Sequence, residues 1–263
     1  MPLAMAFEAL GSGAPVVILH GLFSAGRNWT HFAQLLANDY RVYLPDARNH
    51  GASPWASSMS YPDMALDVRR FIEDKQMQRP FVVGHSMGGK TAMALALAHP
   101  QSVAGITVVD TAPECYANQF SAYMAAMQGL DLATTRARRG IRDTLADQLN
   151  RGASVELQLR NLRSQRERFD WRMNLLATAA RMRDLCGFPA SLSGARYEGP
   201  ALFISGAESD YVRPESRASI RALFPNAEFK GVIDAGHWVH ADQPEALLHD
   251  LRGWLDEACT TPH

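Results

Sequence analysis

The stretch FVVGHSMGGK, residues 81–90, places Ser86 between an apolar run and a helix-like segment, with Gly84 and Gly88 on either side. The bare G-x-S-x-G pattern is weak, because about one chain in ten of this length carries it by chance. Its setting between a strand and a helix makes it a nucleophile turn. The central residue is forced into a strained conformation, and its hydroxyl stands at a helix N-terminus that favours developing negative charge. A serine hydroxyl attacks poorly until a base takes its proton, and an imidazole titrates in the right range to do so. Of the nine histidines, His237 in DAGHWVHADQPE follows the last strand-like run and overhangs the edge where Ser86 sits. His240 is expected to pack or cap the last helix, and His85 to point away from the site. A tetrahedral intermediate also needs two N–H donors. Met87 supplies one; the loop opened by His20 and Gly21 supplies the other from Leu22, with Phe23 as the fallback. The third group, a carboxylate to orient the imidazole, has two candidates by position: Asp110, which closes GITVVD, and Asp210 in GAESDYV.

Elements that position these residues are legible as an alternation. Apolar runs at 15–20, 41–46, 80–85, 105–110, 200–205 and 228–233 read as strands, and helices are expected near 28–38, 62–77, 87–99, 214–223 and 242–257. The last helix is expected to begin at Asp242 as N-cap, with Pro244 in its first turn. Near-continuous apolar strands separated by helices imply a doubly wound α/β domain with a mostly parallel sheet. The alternation stops between Thr111 and Glu198, in a segment rich in Met, Arg, Leu and Ala. This predicts a helical cap at 112–197, inserted above the ligand crevice of a core formed by 1–111 and 198–263. Its methionines, Met124, Met127, Met173 and Met182, are spaced for helix packing, with an adaptable acyl pocket as the alternative role.

At 263 residues and 47% apolar content, the chain can bury a full core. A formal net charge of -1 provides no field for nucleic acid or an anionic membrane, and no apolar run reaches spanning length. The start MPLAMAFEAL lacks the features of a secretory signal, so a cytoplasmic protein is expected. Cys115, Cys186 and Cys259 are scattered and odd in number, as reduced thiols are. Between Pro113 and Tyr197 there are thirteen arginines, no lysine and eight acidic residues. Solvated helix faces and pairs such as Glu156 with Arg160 account for this, and an anionic leaving group such as coenzyme A is the functional alternative.

Taken together, HGLF, DARNHGASP, GHSMGGK and GHWVHADQPE, at these spacings, resemble the α/β-hydrolase superfamily and, within it, the YbfF-like esterases. The likeness runs over nearly the whole chain and is weakest in the cap. In the superfamily the triad acid usually lies three residues past the glycine that ends the PALFIS strand; counted from Gly206, that position holds Ser209. YbfF-like members carry Asp at the earlier strand end and Ser in the later loop. The resemblance therefore implies Asp110 as the acid and Ser209 as a hydrogen-bonding aid to His237 or Asp110, with Asp210 on a shifted loop as the alternative. In DARNHGASP, the superfamily analogy gives Asp46, Asn49 and His50 a buttressing role.

The resemblance implies hydrolysis of carboxylic esters or acyl thioesters, by way of an acyl-enzyme on Ser86, for a small-molecule substrate and with neither metal nor organic cofactor. Activity is expected to fall as pH drops through the pKa of His237, about 6.5 for an ordinary imidazole. A serine at the elbow argues against dehalogenase and epoxide hydrolase chemistry, which use Asp there. Carbon–carbon bond hydrolysis, perhydrolysis and acyl transfer to an alcohol share the same triad and stay open, as does a slow-turnover ligand-binding homologue. The oligomeric state is not legible in the sequence.

Overall fold

In the computed structural model, which describes residues 1–132, 137–149, 153–165 and 168–260, all six apolar runs form strands of one sheet. The strands in chain order are β1 (Phe7–Leu10), β2 (Pro15–Leu19), β3 (Arg41–Pro45), β4 (Phe81–His85), β5 (Gly105–Val109), β6 (Leu162–Gln165), β7 (Arg168–Trp171), β8 (Ala201–Gly206) and β9 (Ala227–Val232). Seven of them make the main sheet in the order β1-β3-β2-β4-β5-β8-β9, parallel except for β1, which runs antiparallel to β3. The sequence reading missed β1, a short edge strand whose exposed and half-buried FEAL lacks the continuous apolar signal of a central strand.

Both faces of the sheet are covered, as period-two side-chain alternation requires. Val17, Leu19, Val82, Ile106 and Val108 point to one core, shared with the helices Tyr61–Asp74 and Met87–Ala98. Val16, Ile18, Val42, Val83 and Ile204 point to the other, under the helices Thr30–Leu36 and Pro244–Thr260. Every residue from Met87 to Leu97 is buried, the signature of a helix enclosed by protein rather than lying on a surface. The final helix departs from expectation. Val239–Asp242 forms its own short turn, Pro244 is the first residue of the long helix, and the Asp242 carboxylate instead accepts from Gly236 N–H (3.0 Å).

Between β5 and β8 the chain leaves the sheet. It forms the helices Ser121–Gln128, Arg138–Gln148, Ala153–Arg160, Leu175–Ala180 and Met182–Cys186, together with the antiparallel pair β6–β7, which the sequence reading did not anticipate. Met124, Met127, Met173 and Met182 are all buried in the core, and none of them lines the two cavities beside Ser86 and His237. Glu156 pairs with Arg142 of the preceding helix (2.8 Å) instead of with Arg160. Among the described residues, no helix is long and apolar enough to cross a membrane.

Candidate active site

Ser86 sits between β4 and the helix Met87–Ala98 at φ 53°, ψ −115°, a conformation that costs a non-glycine residue about 1–3 kcal/mol and persists only where the surroundings enforce it. Here they do. Ser86 N–H donates to Val109 O (3.0 Å) on the neighbouring strand, and Ser86 O accepts from Lys90 N–H (3.0 Å) in the first helical turn. The turn is so tight that a Cβ on Gly84 would lie 2.2 Å from Gly88 O, and one on Gly88 would lie 2.2 Å from Leu19 O, which explains why side chains are absent from both flanks. Among the described residues, no acceptor takes the Met87 or Leu22 amide, and both residues line a small inner cavity with Ser86.

Asp110 follows β5 at φ 52°, is fully buried, and receives three hydrogen bonds on its two oxygens. Gly206 N–H donates to Oδ1 (3.1 Å), Ser209 Oγ–H to Oδ2 (2.5 Å), and His237 Nδ1 also meets Oδ2 (2.7 Å). With Nδ1–H committed to the carboxylate, the tautomer leaves Nε2 as the free acceptor, the arrangement a serine-activating imidazole needs. Ser209 Oγ in turn accepts from Tyr211 N–H (3.2 Å). Asp210, the other carboxylate considered, is exposed to solvent one residue further on. The register is set by Gly206, whose missing side chain admits the backbone of the His237 loop: a Cβ there would meet Gly236 O at 2.3 Å.

Tyr211, which the sequence reading did not assign, and His85, expected only to point away, flank the imidazole. The ring of Tyr211 stacks on that of His237, with centroids 4.0 Å apart and planes at 19°. His85, behind it, donates Nε2–H to His237 O (2.8 Å) and lines neither cavity, so it is turned from the site as expected but braces the base loop. Burial, followed by the neighbouring His237 and His240, holds the His85 imidazole well below its ordinary pKa and so neutral. His240 packs, as expected, stacked on Trp29 at 4.0 Å.

In the DARNHGASP loop, the side chains of Asp46, Asn49 and His50 bond to backbone groups. Asp46 accepts from Gly26 N–H and Ala52 N–H (both 2.8 Å), Asn49 accepts from Ala56 N–H (2.8 Å), and His50 donates to Arg48 O (3.1 Å). His20 Nε2 accepts from Ala47 N–H (3.0 Å), which ties this loop to the one that carries Leu22. Arg48, unassigned in the sequence reading, makes a buried two-pronged pair with Asp67 (2.7 and 2.8 Å).

Ser86 and His237 open onto adjoining spaces. The inner cavity, about 30 Å³, is walled by Leu22, Tyr61, Met87, Leu185 and Cys186 around Ser86. The outer cleft, about 460 Å³, is lined by His237, Trp238, His240, Asn28, Gln158 and Arg160. Phe120 and Tyr211 belong to both.

Residues 14–244 match the family described as "alpha/beta hydrolase fold". The chain is 36% identical over 260 residues to an sn-1-specific diacylglycerol lipase of Xenopus tropicalis, an alignment covering 96% of this chain and 81% of the relative. It is 30% identical to the esterase YbfF of Escherichia coli K12, with 94% of each chain covered. A solved marine microorganism esterase superposes with a TM-score of 0.92 at 32% identity, covering 96% of this chain and 99% of the other. On this match and these identities, the chain belongs to the α/β-hydrolase fold family.

Proposed function

We propose that this protein is a serine hydrolase that cleaves carboxylic esters or acyl thioesters, with Ser86, His237 and Asp110 as its triad and Ser209 as an auxiliary to the acid. The observation that carries this reading is the 2.7 Å bond from His237 Nδ1 to the buried Asp110 carboxylate, at the sheet edge where Ser86 is held in a strained turn. The esterase and lipase relatives support the same reaction class.

In the first half-reaction, His237 Nε2 takes the Ser86 Oγ proton as Oγ bonds to the substrate carbonyl carbon. The resulting oxyanion accepts hydrogen bonds from Leu22 and Met87 N–H, each worth about 3 kcal/mol in the transition state. Collapse breaks the bond to the alkoxide or thiolate, which leaves with the proton from His237. Water then gives a proton to Nε2, attacks the acyl carbonyl and releases the acid, and Ser86 recovers its proton. The Asp110 carboxylate fixes the tautomer and offsets the imidazolium charge.

The same proton path assigns the two spaces. The leaving group must come within reach of His237, so the alcohol or thiol occupies the outer cleft that His237 lines. The acyl group takes the inner cavity around Ser86. Residues 112–197 act as a cap domain over the core of 1–111 and 198–263, contributing Tyr116, Phe120, Leu185 and Cys186 to the inner cavity. A panel of nitrophenyl esters and acyl thioesters tests the proposal: turnover by the wild-type protein and its loss in Ser86→Ala support it. Full turnover in Ser86→Ala overturns it.

A further inference from the structure

The helix that begins behind Ser86 contains one ionisable side chain, Lys90, and it is only 2% exposed. Burying an ammonium is costly unless each of its donors is matched. Here the match is complete: Nζ donates to the carbonyl oxygens of Glu114 (2.7 Å), Cys186 (3.0 Å) and Gly187 (2.7 Å). The Tyr116 ring lies 4.4 Å from Nζ, and the Tyr61 ring 5.8 Å. Glu114 stands where the chain leaves the sheet after β5, and Cys186 and Gly187 stand near the end of the same excursion. One side chain thus clamps both ends of the inserted segment, and Lys90, Tyr116 and Cys186 line the cavity that also holds Ser86.

We infer that Lys90 is a positioning residue for substrate specificity: its ammonium holds the wall of the acyl cavity in place and thereby limits the length of acyl chain that Ser86 can accept. This rests on the acyl-enzyme reading and on the assignment of the inner cavity to the acyl group. The clamp depends on charge, because a neutral amine has only two N–H donors and turns a lone pair toward the third carbonyl. The titratable groups facing Nζ are Tyr61 from the helix Tyr61–Asp74, Glu114, Cys115 and Tyr116 from the chain after β5, and Cys186. The Glu114 carboxylate is engaged elsewhere, by Ser216 Oγ–H (3.1 Å) and Ser219 Oγ–H (2.6 Å). Burial pushes Lys90 down to about 8, opposed by Cys186, Cys115 and Glu114. Burial also holds the Cys186 thiol above its ordinary value, so this neighbour stays neutral while Lys90 loses its proton. The clamp is therefore closed at neutral pH and released as pH rises through about 8.

The test is kcat/KM for nitrophenyl acetate and nitrophenyl octanoate at about pH 7 and about pH 9, on either side of the Lys90 transition, in wild type, Lys90→Met and Lys90→Arg. The octanoate-to-acetate ratio is expected to rise ~10-fold in Lys90→Met, through a lower KM for octanoate. In wild type the ratio is expected to rise in the same direction between the two pH values, whereas in Lys90→Met and the permanently charged Lys90→Arg it stays flat. A Lys90→Met ratio equal to wild type overturns the inference. If Lys90→Met does not fold, Lys90→Gln, which carries no charge and two N–H donors, replaces it with the same two outcomes. Ser86→Ala run beside them separates the two levels: an active Ser86→Ala overturns the acyl-enzyme reading, whereas an inactive one with unchanged ratios overturns only the role of Lys90.

Discussion

His237 Nδ1 and Asp110 Oδ2 lie 2.7 Å apart although 127 residues separate them in the chain. The bond links the end of β5 to the loop after β9, across the end of β8, where the superfamily usually keeps its acid. Asp110→Asn replaces the acceptor oxygen with a group that favours the wrong imidazole tautomer, so turnover should fall by up to ~10⁴ with the fold intact. Asp210→Asn, on an exposed residue, should leave turnover near wild type. Steady-state kinetics on the two variants, alongside circular dichroism, checks both.

Ser209→Ala removes one of three donors to Asp110 and leaves those from Gly206 and His237. A supporting hydrogen bond of this kind is worth roughly 1.5–3 kcal/mol, so kcat should drop about 10- to 100-fold, well short of the loss in Asp110→Asn. The measurement is kcat at saturating nitrophenyl ester for both variants.

The strand-turn-helix setting marks Ser86 by local geometry, whereas the choice of Asp110 over Asp210 comes from the resemblance, which places the usual acid at position 209 and finds a serine there. The central strands are equally plain, since burial on both faces leaves continuous apolar runs. Where the structure departs from the reading, the deciding contacts are tertiary. The β6–β7 pair lies in a charged stretch without strand periodicity, and β1 is a half-exposed edge. Asp242 has the residue type of an N-cap, but its carboxylate is drawn to Gly236 N–H across the base loop. Lys90 did leave a signal, a lone cation in an otherwise uncharged apolar helix, but the three carbonyls that accept from it come from positions 114, 186 and 187. No local pattern announces them.

Buried imidazoles make the fold sensitive to acid. Burial pushes His50 and His240 down to about 3; His20 adds to the effect at His50, and His237 at His240. Between the ordinary value of 6.5 and about 3, the unfolded chain binds protons at these rings that the folded chain does not. Stability therefore falls as pH drops through 6.5 and goes on falling toward 3. His240→Phe preserves the stack on Trp29 and removes one of these titrations, so its urea midpoint should decline less than wild type between about pH 7 and about pH 5.

The Arg48–Asp67 pair, with both side chains 1% exposed, is a stability element that touches none of the triad residues. Asp67→Ala leaves the buried guanidinium with only the partly exposed Asp63 carboxylate, 3.8 Å away, and should cost about 3 kcal/mol of unfolding free energy. The double variant Arg48→Met, Asp67→Leu should recover most of that loss, because no buried charge remains. Denaturant unfolding of the three proteins distinguishes a lost partner from lost packing.

The central claim is that Ser86 carries the acyl group between the two half-reactions. Rapid mixing with excess nitrophenyl ester, followed by intact-protein and peptide mass spectrometry, tests this directly. The account predicts a burst of nitrophenol matched by a mass increase of one acyl group on the peptide containing Ser86, with both absent in Ser86→Ala. Turnover without any acylated peptide, or an adduct on another residue that survives in Ser86→Ala, would contradict it.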